Sequence, residues 1–180
     1  MKRLSRLVFA GFTSLLLMAL PVSATFAESP TLSPDDQKYI SSSCLNIKNS
    51  MNQLHTSDAL LRVNRGQLYE LMLSKLMNPF NTRLKLNGID NKTLVTAATT
   101  YSNTLNTFRT DYQNYDVQMT AALNIDCTKQ PAKFYDSVEQ ARTKRLQVHD
   151  DVTALNAEID SYSALVDQFA LNFQSGGTSK

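Results

Sequence analysis

Histidine and cysteine are scarce in this chain, and two of each in 180 residues leave a zinc site of the usual kind short of ligands. Glycine is scarce too. Of five glycines, two stand side by side in the C-terminal tail, and no Gly-rich phosphate loop, nucleophile elbow or EF-hand loop is present. Serine and threonine abound, yet none has a neighbouring His and carboxylate that would activate it. The expectation is a protein that is not an enzyme and carries neither metal nor cofactor. No stretch alternates apolar and polar residues between turn signals, so no β-strand is expected either.

A long hydrophobic run occurs once. Leu7 to Leu20 is an apolar stretch of 14 residues, preceded by Lys2, Arg3 and Arg6 and followed by small residues from Pro21 to Ala27. That pattern reads as a secretory signal peptide over residues 1–27, with cleavage after Ala24 or Ala27. The run is short for a membrane span, which needs about 20 residues, although an uncleaved signal would act as an N-terminal membrane anchor. No cysteine near the cleavage region offers a lipid attachment point. After cleavage no membrane span is expected, and the chain is placed in a secreted or periplasmic, oxidising setting. Three of its 18 Lys and Arg residues lie in the signal, leaving 15 against 16 Asp and Glu. Such a balance provides no basic face for a nucleic-acid partner, and about 153 remaining residues suit one domain.

Beyond the signal, apolar residues recur with alternating spacings of four and three. Phe134, Val138, Ala141, Val148, Val152, Leu155, Ile159, Tyr162, Val166, Phe169 and Phe173 form one seam, interrupted by Arg145. Leu94, Ala98, Tyr101, Leu105, Phe108, Tyr112, Tyr115, Met119 and Ala122 form another. Ile40, Cys44, Ile47, Met51, Leu54, Asp58, Leu61, Arg65, Leu68 and Met72 form the first in chain order, with Asp58 and Arg65 as polar intrusions. Seams of this regularity indicate coiled-coil helices. The aromatic stripes, with Tyr101, Phe108, Tyr112 and Tyr115, are read as core and not as a cofactor site.

Helix boundaries follow from local signals. Ser33-Pro34-Asp35-Asp36 is a helix start, with a serine cap, proline at the first position and acids at the positive end of the dipole. Pro79 disfavours helix in the residue before it, so the first helix is expected over about 34–78, with a short turn up to Leu86. Asn87-Gly88 is a left-handed stop and Asp90 the next cap. The second and third helices are expected over about 91–124 and 131–174, and residues 175–180 as a flexible tail. The fold class is thus all-α, an elongated antiparallel three-helix coiled-coil bundle, up-down-up, about 60 Å long by the rise of a helix of roughly 40 residues. It is expected to be a monomer, the rival being association of several chains through the same seams.

Cys44 and Cys127 are the only cysteines. In an exported chain a disulfide is the default, and helical rise brings the second turn down beside Cys44. Closing a loop of about 80 residues would contribute about 4 kcal/mol in the chain-entropy model. Two free thiols are the bland alternative, and a redox role lacks the Cys-x-x-Cys pattern. The same ruler sets Asp58 level with Arg145, an expected ion pair that fixes register. Arg65 lacks an evident partner, with Asp150 and Asp151 as candidates. The functional alternative for these charges is a groove for an anionic ligand. His149-Asp150-Asp151 reads as a solvated face, and Asn91-Lys92-Thr93 matches a glycosylation acceptor by chance.

The turn Leu123 to Arg145, LNIDCTKQPAKFYDSVEQARTKR, and the turn Leu86 to Asp90, LNGID, resemble those of exported coiled-coil bundle proteins of Saccharibacteria-type bacteria. The resemblance implies export, a helical bundle and a bacterial cell-surface setting, and it names no substrate. The expected function is a structural or interaction module that contacts another protein or a cell surface. An extracytoplasmic holdase chaperone is the alternative, and it would need exposed apolar surface beside a basic groove. A membrane-active protein would need a second long apolar segment.

Overall fold

Ser33 starts the first helix as its position suggests. In the computed structural model, which describes residues 32–176, its Oγ accepts the Asp36 N–H at 3.1 Å and Pro34 opens α1 (Pro34–Leu71). Residues 1–27, read as a signal peptide, and residues 177–180 of the expected tail lie outside the described residues.

The first helical segment does not stop at Asn78. It passes through a π-helical turn, Met72–Met77, into α2 (Asn78–Leu86). Pro79 has no N–H to give and its ring crowds the carbonyl four residues back. Here the widened turn absorbs the conflict, because the Asn78 N–H reaches back to the Leu73 carbonyl. α2 ends in a Schellman motif, with Gly88 at φ 69°, its N–H on the Lys85 carbonyl at 3.1 Å and the Ile89 N–H on the Leu84 carbonyl at 3.0 Å. Asp90 accepts the Lys92 N–H at 3.1 Å and α3 (Lys92–Asn124) follows. Asn91, the glycosylation-pattern residue, spends its side-chain amide on the Asn81 carbonyl at 2.7 Å. After a turn in which Asp126 accepts the Thr128 and Lys129 N–H groups, α4 (Pro131–Gly176) runs to the last described residue, so Ser175 and Gly176 are helical where a tail was expected.

Cross-helix hydrogen bonds fix the directions. Residues of α1 and α2 meet α3 in descending order, His55 with Asp116, Tyr69 with Tyr101 and Asn81 with Leu94, so α3 is antiparallel to them. They meet α4 in ascending order, Asp58 with Arg145, Tyr69 with Asn156 and Met77 with Tyr162, so α4 is parallel. The described residues contain no strand. The bundle is all-α, up-down-up.

α3 contributes nine buried residues, and they are the nine of its expected seam. They pack on Phe134, Ala141, Leu155 and Tyr162 of α4 along both helices. Phe173 is exposed and stacks on Phe169, beyond the reach of the other helices' cores. The first seam behaves differently. Between Met51 and Tyr69 no residue of α1 is buried, Tyr69 is wholly buried, and Leu61 and Leu68 are 55% and 46% exposed. α1 has turned toward α3, where Glu70 pairs with Arg109 and Gly66 lies 3.9 Å from the Phe108 ring edge when a Cβ is built on it. Asp58 and Arg65 explain the departure, because a seam holding two charges cannot be driven whole into an apolar core.

The core is therefore divided. One cluster gathers Ile40, Met51, Met119, Cys127 and Phe134 near the disulfide, and the other gathers Tyr69, Met77, Leu105, Leu155 and Tyr162 at the opposite end. α1 is anchored to each and stands off in between. Urea unfolding would register this directly: Leu155→Ala should cost about 2–5 kcal/mol, as a wholly buried leucine does, whereas Leu61→Ala should stay within about 0.5 kcal/mol of the parent.

Candidate binding cleft

Where α1 stands off, a cleft of about 490 Å³ opens, with Leu61, Arg62 and Arg65 on α1, Phe108, Tyr112 and Tyr115 on α3, and Arg145 to Asn156 on α4. At its lower edge lies a polar layer. Arg145 grips Asp58 with a forked pair of hydrogen bonds, Nε to Oδ2 at 2.7 Å and a terminal nitrogen to Oδ1 at 3.0 Å, and the Tyr115 hydroxyl donates to Oδ2 at 2.7 Å. Burial would raise the Asp58 pKa, but these two donors outweigh it and hold the carboxyl below its ordinary value. Tyr115 is raised in turn, by burial and by donating to that carboxylate. His55 Nε2 stands 2.7 Å from Asp116 Oδ1 beside the same layer.

Two further arginines lie in the cleft. The Arg62 guanidinium stacks over the Tyr112 ring at 5.4 Å, and its buried Nε has no hydrogen-bond partner. Arg65 is exposed, and among the described residues no carboxylate lies within ion-pair distance of it or of Arg62. Asp150 and Asp151, offered as partners for Arg65, do not fill that role. Asp151 meets Asp111 of α3 instead, and burial followed by the Asp111 charge raises its pKa to about 6. Asp150 is exposed, as a solvated face implies, whereas Asp151 is half-buried.

At the far end of α1, Cys44 and Cys127 are disulfide-bonded, with Cα atoms 5.5 Å apart at a sequence separation of 83. The structure thus joins both sequence-derived pairs, Cys44 with Cys127 and Asp58 with Arg145. Sequence reasoning missed Arg62, His55 and Tyr69. All three follow Met51 at helical spacing, so a 3.6-residue period carried from that residue finds them. Among the described residues no group of three His, Cys, Asp or Glu side chains is placed to hold a metal ion. Chemically, the arrangement offers a partly apolar recess carrying surplus positive charge. No helix among the described residues is long and apolar enough to cross a membrane. Neither a family model, nor a curated protein, nor a solved structure matches the chain.

Removing one member of the polar layer should hurt more than removing the pair. Arg145→Met strands a carboxylate whose side chain is only 11% exposed and should cost about 1–3 kcal/mol. Asp58→Leu combined with Arg145→Leu should recover most of that loss in a double-mutant cycle. A second test concerns Asp151. Its folded pKa, about 6, exceeds the ordinary carboxylate value of 3.8, so its contribution to stability is full below about pH 4 and declines up to about pH 6. Asp151→Asn should flatten the melting temperature between pH 4 and 6 and raise it relative to the parent at pH 7.5. Asp58 works in the opposite sense, its contribution being present above its unfolded pKa and lost as the pH falls through its lower folded value.

Proposed function

We propose that this protein is a non-enzymatic, extracytoplasmic binding module that uses the α1–α4 cleft to hold a partner at a cell surface or in the envelope. The observation that carries the reading is the unequal packing of the bundle. α3 and α4 close on one another along their seams, while the middle of α1 leaves leucines exposed beside unpaired arginines. A bundle whose role was only to span distance would gain stability by filling that seam. A secretory leader and the resemblance of the two turns to exported bacterial bundle proteins support the location. The disulfide suits it as well.

A holdase chaperone is the second reading, favoured by the same exposed Leu61, Leu68 and Leu146 next to Arg62 and Arg65. Site-specific photo-cross-linking on intact cells separates the two. A cross-linker at Leu61 should give one discrete product, while the same group at Gln113, on the outer face of α3, should give none. A smear of many products at Leu61, together with suppression of aggregation of a heat-denatured model enzyme, would replace the module by the chaperone. Absence of any product at Leu61 would remove the cleft from consideration.

A further inference from the structure

The geometry points to a specific ligand for this cleft, a free amphiphile with one alkyl chain and a carboxylate head of the fatty-acid kind, an inference that rests on reading the cleft as the binding face. The charge argument comes first. Arg62, Arg65 and Arg145 line the cleft against a single carboxylate, Asp58. Arg145 and the Tyr115 hydroxyl already satisfy that carboxylate, so the positive charge of Arg62 and Arg65 is uncompensated. A guanidinium presents paired donors that match the two oxygens of a carboxylate.

The walls supply the other half of the chemistry. Leu61, Leu146, Val148 and Val152 bound the recess and Phe108 forms part of its lining. Leu61 and Leu146 are 55% and 58% exposed, which leaves aliphatic surface for a chain to cover.

Dimensions are compatible with such a chain. The lining on α4 runs from Arg145 to Asn156, a rise of about 16 Å. A cleft of that length accommodates an extended alkyl chain. It also falls within the size range of small-molecule sites.

Isothermal titration of the oxidised protein with sodium laurate, kept below its micelle concentration, tests this. Dodecanol serves as the uncharged analogue with the same chain. The parent should bind one laurate saturably. Arg62→Met combined with Arg65→Met should weaken laurate at least tenfold while leaving dodecanol binding unchanged, with the melting temperature confirming a folded variant. Arg65→Met alone, at an exposed position, should give an intermediate loss and covers the case in which the double variant is unstable. Laurate bound equally by parent and variants would overturn the inference, as would no saturable heat. Co-sedimentation with anionic phospholipid vesicles that laurate does not compete away would also overturn it, by assigning the arginines to a membrane surface. If laurate gives no heat while the Leu61 cross-link to a partner persists, the ligand assignment fails and the binding module stands. Loss of both removes the module as well.

Discussion

Asp58 needs partners, and that need organises the bundle. Its side chain sits at a position that faces the other helices with only 11% of its surface exposed. A carboxylate there is tolerated only if donors surround it. Tyr115 from α3 and Arg145 from α4 supply them. Three helices thereby meet at one point, and a slip of one residue along α1 would swing Asp58 about 100° away from both donors. Apolar side chains slide past one another at modest cost, whereas a stranded charge does not. The polar layer therefore sets the register that the leucines and tyrosines alone would leave loose, and it divides the apolar interior into two clusters.

That division decides how α1 is held. At one end the disulfide and the cluster around Met119 and Phe134 secure it, and at the other Tyr69, Met77 and Leu84 lock into the opposite cluster. Between these anchors α1 is joined to α3 by polar and edge contacts, His55 with Asp116, Asp58 with Tyr115 and the Arg62 stack on Tyr112. Few buried apolar contacts and much exposed helix mark a segment that opens locally at low free-energy cost. The π turn adds to this by relieving the conflict at Pro79, so that Met77, Asn81 and Leu84 can all be buried against α3 and α4.

The same division explains which parts of the fold were legible from sequence. α3 is central, touches both neighbours, and hides every residue of its four-three seam. α4 follows its seam up to Phe169, after which no neighbouring core remains to bury Phe173. α1 departs from its seam at Leu54, Leu61, Arg65 and Leu68, though not at Asp58 or Met72, for two reasons. A strict seven-residue repeat drifts about 20° per heptad against a straight helix, so over the stretch from Met51 the inward position migrates from Leu68 to Tyr69. Asp58 and Arg65 also deny that face a continuous apolar stripe. Pro79 misled for a related reason, since a proline ends a helix only where no wider turn can absorb it. The two pairs, Cys44 with Cys127 and Asp58 with Arg145, were accessible because helical rise is constant and both turns are short. The cleft was not, because it arises from how α1 rotates between its anchors, which periodicity does not encode.

The polar layer and the α3–α4 seam respond to pH through separate groups. The Asp58 carboxyl is held below its ordinary pKa, so it stays ionised through the neutral and mildly acidic range and continues to cancel Arg145. The pair that sets the register therefore persists through that range. Asp151, by contrast, faces Asp111 across the α3–α4 seam and titrates near pH 6. It lines no part of the cleft. Acidification from pH 7 to 5 thus relieves the repulsion between α3 and α4 and tightens the scaffold while leaving the Asp58–Arg145 pair intact.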